Sequence, residues 1–173
     1  MLHHSAQALL FEQGWCSLLA VDTIIKCCYF PRPTQFFARR GFSMYEVSIE
    51  THFSAAHRLR HYRGLCENLH GHNWKVEVTV CAEVLDEAGM VIDFSILKQK
   101  TNSIIDQLDH QYLNELPPFA DINPSSENLA AYIYDHLSKA LKEHPVTLAR
   151  VCVWESDKAK ASYTPYKVYH AVT

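Results

Sequence analysis

The chain has 173 residues and a net charge of −3 with its 11 histidines neutral; 48% of it is apolar and 20% charged. At about 100–200 residues per domain this is one domain's worth of chain, and the balance excludes collagen, mucin-like repeats and a disordered polymer. No long basic run marks a nucleic-acid surface, and no stretch reaches the roughly 18 uncharged apolar residues of a membrane span.

Residues 1–43 read differently from the rest. They hold three of the six cysteines, which stand at 16, 27, 28, 66, 81 and 152. They show no sustained period, and two prolines in Phe30-Pro31-Arg32-Pro33-Thr34 break any element there. The most apolar run, Trp15 to Phe30, is interrupted by Asp22 and Lys26, and with no Lys or Arg before Lys26 the basic start of a signal peptide is missing. The cysteines form no CxxC pair and no regular framework, which favours reduced thiols in a cytoplasmic protein over a disulfide scaffold. At Met44 the character changes. Met44 is read as the true start, with 1–43 a non-native or poorly ordered extension and 44–173 a single domain. Arg39-Arg40-Gly41 fits this reading, because one coding of it is purine-rich, like a bacterial ribosome-binding site before a start codon.

From Tyr45 to Phe53 apolar and polar residues alternate, the period of a half-buried strand. A second strand is predicted over His72–Val84, with Trp74, Val76, Val78 and Val80 on one face. Asp86-Glu87-Ala88-Gly89 predicts a turn, Met90–Phe94 a short extended run, and Ser95–Leu108 a helix with Leu97, Ile104, Ile105 and Leu108 on one face. Asn123-Pro124-Ser125 reads as a helix start, with Ser125 as cap and Glu127 in the first turn. Leu129, Tyr132, Ile133, Leu137, Ala140 and Leu141 continue it as an apolar stripe. Strands at Leu148–Glu155 and Ser162–His170 complete a ββααββ order. That is α+β: a four-stranded antiparallel sheet with two helices on one face. Its open edges favour oligomerisation.

The chemistry concentrates in Phe53-Ser-Ala-Ala-His57-Arg and Cys66-Glu67-Asn68-Leu69-His70-Gly71-His72. His70 and His72 are two apart on a strand and point to one face. Antiparallel pairing brings His57 beside them, and three neutral imidazoles fit Zn²⁺ with an open fourth position. Cys66 is then a candidate base, since a thiol beside a cation ionises more readily, or a fourth ligand of a structural zinc, or a small buried residue. Asp109-His110 is either a carboxylate fixing an imidazole tautomer or an idle helix end. Glu155 is a solvated strand end or the acceptor for a ligand's N–H groups, and Glu127 is a helix-end carboxylate or a ligand contact.

Six motifs in order, FSAAHRL, CENLHGHNW, GMVIDFSILK, LDHQYLN, NPSSENLA and VWES, resemble those of the 6-pyruvoyl-tetrahydropterin and 6-carboxytetrahydropterin synthase family over about Tyr45 to Val168. The resemblance implies the tunnelling fold, with subunit sheets assembled into an oligomeric barrel, commonly a hexamer of two trimers, and active sites between subunits. It implies His57, His70 and His72 as zinc ligands, Cys66 as catalytic base, and Asp109 with His110 as a second proton-transfer unit. Glu155 becomes the carboxylate that anchors the pterin, with Ser125, Ser126 and Glu127 as further pterin contacts. The implied substrate is a small molecule, 7,8-dihydroneopterin triphosphate, with no nucleic-acid or membrane partner. The implied products are 6-carboxy-5,6,7,8-tetrahydropterin, acetaldehyde and triphosphate, an early step towards queuosine and other 7-deazapurines. A folate-pathway variant reads E-x-x-HGH and releases 6-hydroxymethyl-7,8-dihydropterin. This chain carries both Cys66 and Glu67, so Glu67 is a candidate catalytic residue for that second product. The short spacing from Cys66 to His70 argues against the animal-type pyruvoyl synthase. Arg58, Arg60, Arg63 and Lys98 are candidates for holding the triphosphate. A zinc-stabilised oligomeric binding module is the non-enzyme alternative.

The reading of Met44 predicts that mass spectrometry of the native protein finds no peptide from residues 1–43; finding one overturns it.

Overall fold

Alternation builds the first strand. β1 (Tyr45–His57) buries Ile49, Phe53, Ala55 and His57 on one face and leaves Glu46, Glu50 and His52 exposed on the other. The structure, a computed structural model, describes residues 44–165. β2 (His70–Ala82) lies antiparallel to β1 with His57 opposite His70, Ala55 opposite His72 and Phe53 opposite Trp74. It therefore runs two residues earlier at both ends than the alternation of its valines predicts. The reason is its partner: Tyr45 begins β1 and pairs with Ala82, so Val84 has nothing to pair with and stands exposed.

The connection to the first helix is a turn, as expected. Gly89 adopts φ +81, a left-handed conformation that suits glycine, and Asp86 accepts from the N–H groups of Ala88 at 2.9 Å and Met90 at 2.8 Å. Met90–Phe94 is not an extended run. Val91 and Ile92 turn into the core, and Asp93 caps α1 (Phe94–Ile105) by accepting the Ser95 N–H at 2.7 Å. That cap favours the Asp93 carboxylate and holds its pKa below the ordinary value. The helix stops three residues short of Leu108, which stays fully buried in the turn that follows.

α2 (Ser126–Ala140) starts where the sequence places it, with Ser125 accepting the Asn128 N–H at 3.4 Å. Leu129, Ile133 and Leu137 are fully buried. β3 (Thr147–Ser156) and β4 (Ala159–Tyr163) close the sheet in the order β1-β2-β3-β4, every neighbour antiparallel. β4 begins three residues earlier than expected, because Ser156 pairs with Ala159 across a tight turn and Trp154 pairs with Lys160. Residues 166–170 of the expected last strand lie outside the described residues. α1 packs on β1, and α2 on β3 and β4. This is the expected α+β fold, with both helices on one core.

The centre of that core is Trp74. It is fully buried, stacks on Phe53 with ring centroids 5.9 Å apart, and meets the edges of His57 at 5.0 Å and His72 at 5.1 Å. Trp74→Ala is expected to cost about 3–5 kcal/mol, read by urea unfolding. The same variant should loosen the two histidines that lean on the ring.

Candidate active site

The sheet register makes a cluster. His57, His70 and His72 lie on the inner face, where the row of apolar side chains from Val80 to Trp74 runs out. His57 Nδ1 is 2.8 Å from the Pro124 carbonyl and His70 Nδ1 is 2.7 Å from the Asn68 carbonyl. A carbonyl only accepts, so both rings carry their proton on Nδ1. With both rings neutral, the two Nε2 atoms face each other 3.0 Å apart as lone pairs. Burial lowers the pKa of His57, and burial likewise lowers that of His72, so the neutral ligand form is favoured. His72 Nε2 is buried and lies 3.0 Å from Glu155 Oε1, yet it makes no hydrogen bond of acceptable geometry. Glu155 Oε2 accepts the Ser126 hydroxyl at 3.3 Å.

Two asparagines hold the chain beyond β1 in place. Asn114 receives the Arg58 N–H at 2.9 Å and donates to the Arg58 carbonyl at 2.9 Å. Asn123 does the same for Arg60, at 2.6 and 2.9 Å. Each side-chain amide imitates a paired strand residue. Arg60 spends its guanidinium on the carbonyls of Asn114, Phe119 and Ile122. It is a strut, not a free cation for a triphosphate. Because Asn123 precedes Pro124 and Ser125, these bonds place the His57 acceptor and the start of α2 together.

A cavity of about 310 Å³ opens beside the cluster, lined by His57, Cys66, Ser125, Ser126, Glu127 and Glu155, with Tyr62 and Lys160. It unites Cys66 with the expected pterin contacts. Glu67 sits on the same single turn (Leu65–Glu67) but is exposed and does not line the cavity. Arg58, Arg63 and Lys98 are exposed and do not line it either. Asp109 and His110 lie elsewhere, on the free edge of β1. Asp109 Oδ1 accepts the Ser54 N–H at 2.8 Å and its Oδ2 takes the His110 Nδ1–H at 2.8 Å. Those bonds, the Ser54 N–H first, hold the Asp109 carboxyl below the ordinary carboxylate pKa. His110 has φ +56 and is 81% exposed, so its Nε2 is left free. It lines a separate groove of about 510 Å³ with Ser54, Gly71, His72 and Tyr112.

Does this donor set fit a metal? One donor atom from each of His57, His70, His72 and Glu155 lies within 4.8 Å of the others. Facing lone pairs and an orphaned buried Nε2 leave a position that a cation satisfies. The set fits a divalent metal.

The family model for 6-pyruvoyl tetrahydropterin synthase matches residues 46–166. The chain belongs to this family. It is 40% identical over 121 residues to a 6-pyruvoyl tetrahydrobiopterin synthase of Poecilia reticulata, covering 61% of this chain and 80% of that one. It is 39% identical over 102 residues to a 6-carboxy-5,6,7,8-tetrahydropterin synthase of Synechocystis, covering 56% and 78%. The Caenorhabditis elegans 6-pyruvoyl tetrahydropterin synthase structure superposes with a TM-score of 0.66 at 29% identity, covering 72% of this chain and 97% of that one. The tunnelling fold of this family is the fold seen here.

Within the family fold, sequence reasoning missed Tyr62, Lys160 and the Pro124 carbonyl. The first two are ordinary surface residue types, and a backbone acceptor has no side-chain signal. Among the described residues no helix is long and apolar enough to cross a membrane.

Asp109→Asn tests the edge anchor. The depressed carboxyl contributes stability above the unfolded carboxylate pKa, about 3.9, and loses it as pH falls through the lower folded value. The wild type should melt above the variant at pH 7, and the gap should close in acid below about pH 4.

Proposed function

We propose that the protein is a zinc-dependent 6-carboxy-5,6,7,8-tetrahydropterin synthase. In this reading it is a lyase that converts 7,8-dihydroneopterin triphosphate and one water to 6-carboxytetrahydropterin, acetaldehyde and triphosphate, in the cytoplasm and towards queuosine. The observation that carries the reading is three converging imidazoles beside a cavity that Cys66 lines and Glu67 does not. The carboxytetrahydropterin names of bacterial relatives support it, as does the short Cys66-to-His70 spacing.

His57, His70 and His72 would hold the metal through Nε2, the Nδ1–H groups of His57 and His70 turned away towards backbone carbonyls. Zn²⁺ bound there supplies Lewis-acid stabilisation of negative charge developing on a substrate oxygen. The remaining steps belong to the chain. Glu155, Glu127, Ser125 and Ser126 offer acceptors to a pterin's ring N–H groups. Cys66, as thiolate, takes a proton from a side-chain carbon of the substrate. Asp109 holds His110 in the Nδ1–H tautomer, leaving Nε2 to take or return a second proton. His110 faces a different groove from Cys66 within one chain. In this reading a neighbouring copy therefore presents its Asp109–His110 pair to the cavity, in a homo-oligomer, a hexamer of two trimers.

The test is product identification on the full chain loaded with Zn²⁺, by liquid chromatography and mass spectrometry. The expected products are carboxytetrahydropterin and acetaldehyde. Cys66→Ala should lower turnover by about 10²–10⁴-fold while zinc stays bound. Zinc lost together with the thiol would make Cys66 a structural ligand. Hydroxymethyl-dihydropterin as the main product would overturn the reading in favour of Glu67 and folate synthesis.

A further inference from the structure

Glu155 stands where two demands meet. Its Oε1 lies 3.0 Å from His72 Nε2 and 3.9 Å from His57 Nε2, and Oε2 holds the Ser126 hydroxyl at 3.3 Å. With the three histidines it completes a four-donor set within 4.8 Å, the number a closed tetrahedral Zn²⁺ site uses. The same carboxylate lines the cavity beside Ser125 and Glu127. There the proposed function asks it to accept two N–H groups from a pterin ring, and such a pairing uses both oxygens side by side. With Oε1 turned to the imidazoles and Oε2 to Ser126, the metal and the ring compete for the orientation of one carboxylate.

The backbone allows a choice between the two. Glu155 falls in the register shift of β3 between Trp154 and Ser156, and a bulge re-aims the side chain it carries. Glu155 is also 32% exposed, so it is not wedged into the core.

We infer that Glu155 is an exchangeable fourth metal ligand: it closes the metal site while the cavity is empty and leaves the metal for the pterin ring when that ring binds. The inference rests on the proposed function. Ring binding then opens the coordination position that the substrate's side-chain oxygens need, so the site becomes reactive only once substrate is in place. Thermodynamic reciprocity follows: a bound ring weakens the metal's hold, and the metal weakens the ring's, by the same factor.

The experiment uses the full chain, wild type and Glu155→Gln, which keeps the shape and the Ser126 contact but removes the anionic donor. Zn²⁺ affinity is read by chelator competition without pterin. The Co²⁺-loaded forms are read by visible absorption with and without 6-methylpterin, a ring with no side-chain hydroxyl, at concentrations where its own fluorescence shows it bound. Glu155→Gln should hold Zn²⁺ at least about tenfold more weakly, the low end of what loss of even an outer partner costs. The wild-type Co²⁺ spectrum should change on adding 6-methylpterin and that of the variant should not. Equal affinities overturn the inference. So does a weakened variant whose wild-type parent shows no change with 6-methylpterin, because Glu155 would then be a fixed ligand. A wild type that binds no metal, or a His57→Ala control that binds it as tightly, overturns the metal reading underneath and is told apart by that result alone.

Discussion

The register of β1 on β2 is the constraint on which the site depends. It sets His57 across from His70 and Ala55 across from His72, and all four side chains face inward. A slip of one residue would turn one strand's set to the opposite face and break the cluster. The register is fixed by packing, not by the histidines. Phe53 stacks on the fully buried Trp74, and Val76, Val78 and Val80 continue the same buried row. Burying each such side chain contributes about 1.5–3 kcal/mol, so the apolar half of the hairpin aligns the polar half. Ala55 leaves room for the ring opposite it, and Trp74 fills the floor beneath two of the imidazoles.

A second level of order comes from backbone carbonyls. The Pro124 and Asn68 carbonyls each accept an imidazole Nδ1–H, and this turns the Nε2 atoms of His57 and His70 into the cluster. Pro124 is in turn held by the asparagine that pairs with Arg60. The loop before α2 therefore orients His57, caps a helix through Ser125 and delivers Ser126 to Glu155. The left-handed backbone of His110 has a similar logic. His110 and Gln111 exchange backbone bonds with Ser54 and Ala56 along the open edge of β1. That pairing supports an unusual φ and leaves the ring outside it, exposed to solvent.

Period and spacing made much of this legible. The alternation of β1, the valine row of β2, the stripe of α2 and the Ser125 cap all lie in the primary sequence, and the HGH spacing put two imidazoles on one face. What escaped were features set by partners. The ends of β2 depend on where β1 begins. The early start of β4 depends on the turn after Ser156 and on Trp154 pairing with Lys160, whose ammonium sits 4.6 Å from the indole centroid. Arg60 reads as a mobile cation until its three carbonyl partners are seen. Cys66 and Glu67 are adjacent in sequence, yet only Cys66 lines the cavity, a distinction that one turn of 3-10 helix makes and no periodicity records.

Charge explains why a carboxylate belongs near this cluster. Burial favours the neutral forms of His57 and His72, so a divalent ion held by three neutral imidazoles would keep its full charge. A charge in a poorly hydrated site is costly unless paired. One Glu155 oxygen beside His72 halves that net charge to about +1. In the proposed function, a bound substrate that offers oxygen donors of its own, and carries negative charge, would replace that compensation. The carboxylate would then be free to meet ring N–H groups, with its second oxygen already held by Ser126 along the same wall. Under that reading the geometry that closes the metal site is also the geometry from which the ring is received.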